Sequence, residues 1–347
     1  MVLREIEWTR GAKVCQTKAM TMSDEDCKKV AEEIAAARRN ANSSDEARVV
    51  LDRAESALQT CPDNWNIRTQ LAWAIWEACI KQAPVGTKAT DYAAAVDRIR
   101  EVQPDPRYGP LSCYVRAVTD SLDSISGLDD RASRPAVEAI LKDFDTSQLD
   151  LAQGMYKDKP QPSQAARFFS AATAALNGID ELVDLQVEIC NAALSSGAFL
   201  DSVDARWITY RLARATEDTD PARALALLEG LPTGARDVTM AVLFVRLLRK
   251  ANRDTEALHV ATEAVLGIRA DRLKFSIGLL VDVAEMVASR ELKKDIVSLV
   301  RATRLSAGWR PDVRAELLAA SLGLADAAEL DDVSRAKLLN QIRNALR

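Results

Sequence analysis

The sequence predicts an all-α chain of stacked helical hairpins, and three observations carry that prediction. Ala and Leu supply most of the apolar content, while 13 Gly, 11 Pro and 5% aromatic residues in 347 are too few for a β-rich or disordered chain. Residues 43–82 read as helix, tight turn, helix. Helix starts then recur at 202, 235, 271 and 311, steps of 33, 36 and 40 residues, within the range of two-helix repeats.

The 43–82 unit is the best-defined stretch. Ser43 followed by Glu46 has capping-box spacing, in which hydroxyl and carboxylate satisfy amides left open at a helix N-terminus. Val50, Leu51, Ala54, Ala57 and Leu58 recur at helical steps as one apolar stripe. Pro62, Asp63 and Asn64 supply the turn. In the second helix Ile67, Leu71, Ile75 and Ile80 share a side, with Trp65, Ala72, Trp73 and Trp76 around them. So wide an apolar cover requires neighbours on two sides.

Taken in order, residues 1–22 lack a helical period and read as an arm, basic through Arg4, Arg10, Lys13 and Lys18 and able to anchor through Trp8. Ser23 caps a helix over about 24–40, with Asp24, Glu25 and Asp26 placed where the helix dipole favours acids. After the central unit come a loop at 84–90, a helix at 91–102, a Pro/Gly breaker at 103–110 and a helix at about 111–125. A short helix begins at Pro135, and Lys157–Ser163 reads as an exposed connection. The implied organisation is an arm (1–22), an N-terminal helical region (23–156) and a C-terminal helical-repeat region (163–347). In the last, helices are expected near 164–177, 181–196, 202–217, 221–229, 235–251, 255–267, 271–289, 291–306, 311–323 and 331–346, with Pro221 and Pro311 at first helical positions.

Ala57 and Leu58 before Pro62, then Leu71, Ala72 and Ile75, resemble the junction between two tetratricopeptide repeats. The resemblance is best at 44–82 and 235–268. It implies an α-solenoid of degenerate TPR-like hairpins that presents a concave binding groove. Arg68–Trp76, RTQLAWAIW, is also similar to helical-repeat segments of bacterial conflict-system proteins.

Charge is uneven. Residues 236–347 hold 19 Lys+Arg against 15 Asp+Glu, so +4, and the rest hold 27 against 36, so −9, giving the total of −5. A dedicated nucleic-acid binder would be basic overall. No apolar run is long enough to span a membrane, and the charged start MVLREIEWTR is unlike a signal peptide. The expectation is a cytoplasmic protein whose six cysteines, none in a CxxC pair, stay reduced as small hydrophobes.

Motifs for chemistry are missing. The single histidine, His259, has no partner at metal-ligand spacing, and no phosphate loop, GxGxxG or GxSxG occurs. Asp129 with Asp130, and Asp331 with Asp332, sit where helix caps belong. No catalytic, cofactor or metal residues are assigned. Arg246, Arg249 and Lys250 end one helix and Arg206 lies on another; they are the candidate partner-binding residues, set to clamp an acidic peptide segment or phosphates. The sequence thus points to a non-enzymatic interaction scaffold that holds a protein partner and is able to self-associate. The competing readings are a nucleic-acid-associated accessory or sensor in a bacterial defence system, and an enzyme with scattered acids.

Overall fold

The computed structural model describes residues 22–260 apart from 106, 110, 129–132, 157–158, 199–201, 233–237, 254–255 and 258–259. The arm at 1–21, His259, both Asp pairs and every expected helix after residue 260 lie outside that set. The described elements are helical, with one short β-ribbon, and they divide into two compact units, residues 1–144 and 145–347. That division falls ahead of the Lys157–Ser163 connection.

In the first unit, α1 (Asp24–Asn40), α2 (Ser44–Thr60) and α3 (Trp65–Trp76) start on oxygen caps. Ser23 accepts from the Asp26 amide, Ser43 from Glu46 and Asn64 from Ile67. At the second cap the carboxylate of Glu46 accepts from the Asn42 amide at 2.7 Å, one residue ahead of the usual box partner. α4 (Ala89–Val102), α5 (Cys113–Ser126) and α6 (Ser133–Leu141) follow.

Sequential helices pack antiparallel. The turn of α1 bearing Cys27 is bonded to Cys61 at the exit of α2. Arg68 near the start of α3 donates to the carbonyl of Val102 at the end of α4, and Arg100 late in α4 donates to the Tyr114 hydroxyl at the start of α5. So α1, α3 and α5 run the same way. α3 packs on α1 and α2 and also on α4 and α5, which is why Ile67, Leu71, Ala72, Ala74, Ile75 and Trp76 are all buried.

α3 ends in a π-helical turn, Glu77–Lys81, closed by the Gln82 amide on the Glu77 carbonyl at 2.9 Å. The apolar series runs 67, 71, 75 and then 80, so its last step is five residues. One residue of π-geometry returns Ile80, 4% exposed, to the buried side, where an unbroken α-helix would bring position 79.

The disulfide between Cys27 and Cys61 corrects the expectation that all the cysteines are reduced. α1 and α2 have 17 residues each, so an antiparallel hairpin brings the start of one beside the exit of the other. Their separation of 34 in sequence hides that proximity. Cys113 and Cys190 are buried free thiols, and Cys79 is half-buried.

The second unit opens with a 3-10 turn at Thr146–Gln148 and the antiparallel ribbon β1 (Gly154–Tyr156) with β2 (Lys159–Gln161). Then come α7 (Gln164–Leu176), α8 (Val183–Ser195), α9 (Ser202–Thr216), α10 (Pro221–Glu229) and α11 (Val238–Lys250). Each packs on the next, and α7 also reaches α9. Phe168, Phe169, Leu176, Ile208, Leu212 and Val245 form its core.

Candidate functional site

The parallel helices α1, α3 and α5 bring together an aromatic and charged cluster in the first unit. On α3, Gln70, Trp73 and Glu77 recur at helical steps along one stripe, and Trp76 stands beside it. The rings of Trp73 and Trp76 meet edge to face, centroids 5.3 Å apart. From α1, the Arg38 guanidinium lies 5.2 Å over Trp73. From α5, that of Arg116 lies 4.5 Å over Trp76, and Lys81 Nζ from the π-turn lies 5.3 Å from the same ring.

Two acids are interleaved. Glu77 has a side chain only 5% exposed; it accepts from Lys81 Nζ at 2.6 Å and Gln82 Nε2 at 3.0 Å, and stands 3.9 Å from Arg38 Nη1. Asp120 accepts the Trp76 indole N–H at 2.9 Å and lies 3.7 Å from Arg116 Nε. Gln82 also donates to the carbonyl of Ala41, tying the end of the π-turn to the exit of α1. Burial lowers the pKa of Arg38, with Glu77 opposing, and burial raises that of the adjacent Cys113 thiol, with Arg38 and Arg116 opposing.

Some polar atoms at the cluster are left over. Nε of Arg38 and the side-chain oxygens of Gln70 and Gln82 are buried with no hydrogen-bond partner among the described residues. Such groups are rare in folded proteins because each forfeits its hydration.

The residues singled out from the sequence lie in the second unit. At the end of α11, Arg246 and Lys250 both pair with Glu217 at 3.3 Å, and Lys250 also reaches Asp218 at 3.1 Å. Glu217 is 8% exposed, so the two cations neutralise a buried carboxylate. Arg249 is half-buried with a partner of its own, as is Arg206. Arg206 precedes Glu217 by eleven residues along α9 and its following turn, about 16 Å of helical rise, so it stands apart from the Glu217 pair. The neighbouring aromatics, Trp207 and Tyr210, touch edge to face at 5.6 Å. Arg211 lies 6.0 Å from the Trp207 ring and donates to Thr173 Oγ1 at 2.9 Å and the Ser170 carbonyl at 3.3 Å.

The Trp73 and Trp76 cluster was visible in sequence only as apolar cover. The signals that could have marked it are the five-residue step from Ile75 to Ile80 and the acid at 77 inside an otherwise apolar stretch. Among the described residues no group of His, Cys, Asp and Glu gathers to hold a metal ion. No described helix is long and apolar enough to cross a membrane. Comparison with protein-family models, curated proteins and solved structures finds no match for this chain.

Proposed function

We propose that this chain is a non-enzymatic interaction scaffold, a degenerate solenoid of tetratricopeptide-like hairpins that holds a protein partner on the face formed by α1, α3 and α5. One observation carries the reading: three parallel helices separated in sequence place Arg38, Trp73, Trp76, Lys81 and Arg116 in one cluster. Tryptophan and arginine are the residues that dominate protein interfaces. The short contact of Glu77 goes to Lys81 at 2.6 Å, while Arg38 stands 3.9 Å from Glu77 and Arg116 3.7 Å from Asp120.

The nucleic-acid reading draws on the basic C-terminal third and on the similarity of Arg68–Trp76 to conflict-system segments. Among the described residues of that third, Arg246 and Lys250 are engaged with Glu217 and Asp218, and no observation there favours it over a protein partner.

The test is a photo-crosslinking amino acid placed at Arg116 in source cells, with a second at Val49, which is 67% exposed on α2. A protein adduct at 116 and none at 49 is expected. Adducts equal at both positions, or none at 116, overturn the proposal.

A further inference from the structure

We infer that the α1–α3–α5 face recognises an acidic peptide segment, whose carboxylates are taken by Arg38 and Arg116 beside Lys81; the inference rests on the scaffold reading above. Its basis is the state of the two guanidinium groups. Each carries five N–H donors in a planar fork suited to a carboxylate. Arg38 and Arg116 approach Glu77 and Asp120 at 3.9 and 3.7 Å, beyond hydrogen-bonding distance, and neither guanidinium donates a hydrogen bond among the described residues. Nε of Arg38 is moreover buried and unpartnered. The contrast lies in the second unit, where Arg253 donates to Glu229 at 2.6 Å and to Glu256 at 2.7 Å.

Charge and spacing select the class of ligand. Three cations stand against two acids, and Glu77 is buried, with its 2.6 Å contact going to Lys81. The exposed side of the cluster is therefore positive. Side-chain exposures of 52% for Arg116, 50% for Lys81 and 19% for Arg38 place two cations at the surface and one deeper. Lys81 and Arg116 flank the Trp76 ring at 5.3 and 4.5 Å from its centroid, so they lie within about 10 Å of each other. Acidic side chains two residues apart on an extended peptide are separated by about 7 Å, which lets two of them address both cations.

Nucleic acid fits less well. Cations already cover the Trp73 and Trp76 rings and Trp76 is 3% exposed, so neither ring is an open platform for a base. Asp120, 40% exposed, would face a continuous run of phosphates but can be spaced around by a peptide.

The experiment is fluorescence anisotropy of the full chain with labelled hexaglutamate, hexaserine, hexalysine and single-stranded oligothymidylate, for the wild type and the Arg116→Glu and Lys81→Glu variants. Circular dichroism confirms that each variant is folded, as expected for side chains about half exposed. Hexaglutamate should bind, hexaserine should not, and each charge reversal should weaken hexaglutamate by about tenfold or more. Arg116→Glu should also gain affinity for hexalysine, which a merely structural role would not produce. Equal treatment of hexaglutamate and hexaserine, no response to charge reversal, or tighter binding of oligothymidylate overturns the inference. A protein adduct at position 116 without hexaglutamate affinity ends the acidic-segment inference and leaves the scaffold standing. Failure of both removes the face altogether.

Discussion

Replacing Cys27 and Cys61 by alanine should destabilise the first unit by about 4 kcal/mol. The bond closes a loop of 34 residues, and the entropy it removes from the unfolded chain corresponds to that value at room temperature. For a unit of this size the loss is on the order of 15 °C in Tm. Both sulfurs are buried, at 3% and 5% residue exposure, so the alanine pair also loses apolar contact in a packed interior. The assay is urea unfolding followed by far-UV circular dichroism, with the wild type measured with and without a reducing agent. The alanine variant should unfold at lower urea than oxidised wild type, and reduced wild type should move in the same direction. Coincident midpoints for all three would mean that the bond constrains nothing that the helices do not already fix. A protein dependent on this bond is suited to an oxidising compartment, so the measurement also bears on the expectation that the chain works in a reducing cytoplasm.

Further outcomes can be read from the same kind of experiment. Glu77→Gln removes the carboxylate that stands 3.9 Å from Arg38 among the described residues and should cost about 2–4 kcal/mol in urea unfolding, because a half-buried guanidinium loses its counter-charge. A double-mutant cycle with Arg38→Gln should show the two losses to be less than additive. Trp76→Phe keeps the ring but deletes the indole donor to Asp120; a loss of about 1–2 kcal/mol is expected in the same assay. Arg246→Ala and Lys250→Ala should each cost less than about 1 kcal/mol, and added salt should shrink the difference, since both cations are about half exposed. Burial pushes the Cys190 thiol up to about 12 from an ordinary value of 9.0, with Arg211 opposing. Its contribution to stability is therefore fully present below pH 9 and is lost as pH rises towards 12, which alkaline unfolding of a Cys190→Ala variant against wild type would reveal. In the folded chain Cys190 should resist alkylation at pH 8.

The helices were legible in sequence because their punctuation is local. Ser23, Ser43, Asn64 and Asp220 each accept an amide three residues ahead, and the expected starts at 24 and 221 agree with α1 and α10. Boundaries slipped where the cap was less familiar. α4 begins at Ala89, two residues ahead of the expected 91, because the Asp91 carboxylate accepts from the Lys88 amide from within the first turn. The ribbon at 154–161 overlaps the connection expected at 157–163. Its strands are three residues each, too short for an alternating pattern to register.

The site was less legible because its geometry is assembled from three helices. Arg246, Lys250 and Arg249 drew notice by lying close together in sequence, and closeness of like charges on one helix is just what a buried acid elsewhere can neutralise; Glu217 does so from the turn after α9. Arg38, Lys81 and Arg116 are separated by 43 and 35 residues and each looks unremarkable alone. Two structural features bring them together. The common direction of α1, α3 and α5 puts the exit of α1 beside the π-turn, as the Gln82 bond to Ala41 shows. The π-turn then keeps Ile80 in the core while Glu77 and Lys81, four residues apart, still meet on the flank. An extra residue in a helix weakens its regular ladder. Here it lets one short segment serve two ends, sealing the hydrophobic layer with Ile80 and presenting Lys81 at the face on the buried Glu77, and that double duty is the reason to look for a ligand there rather than along the more conspicuous basic end of α11.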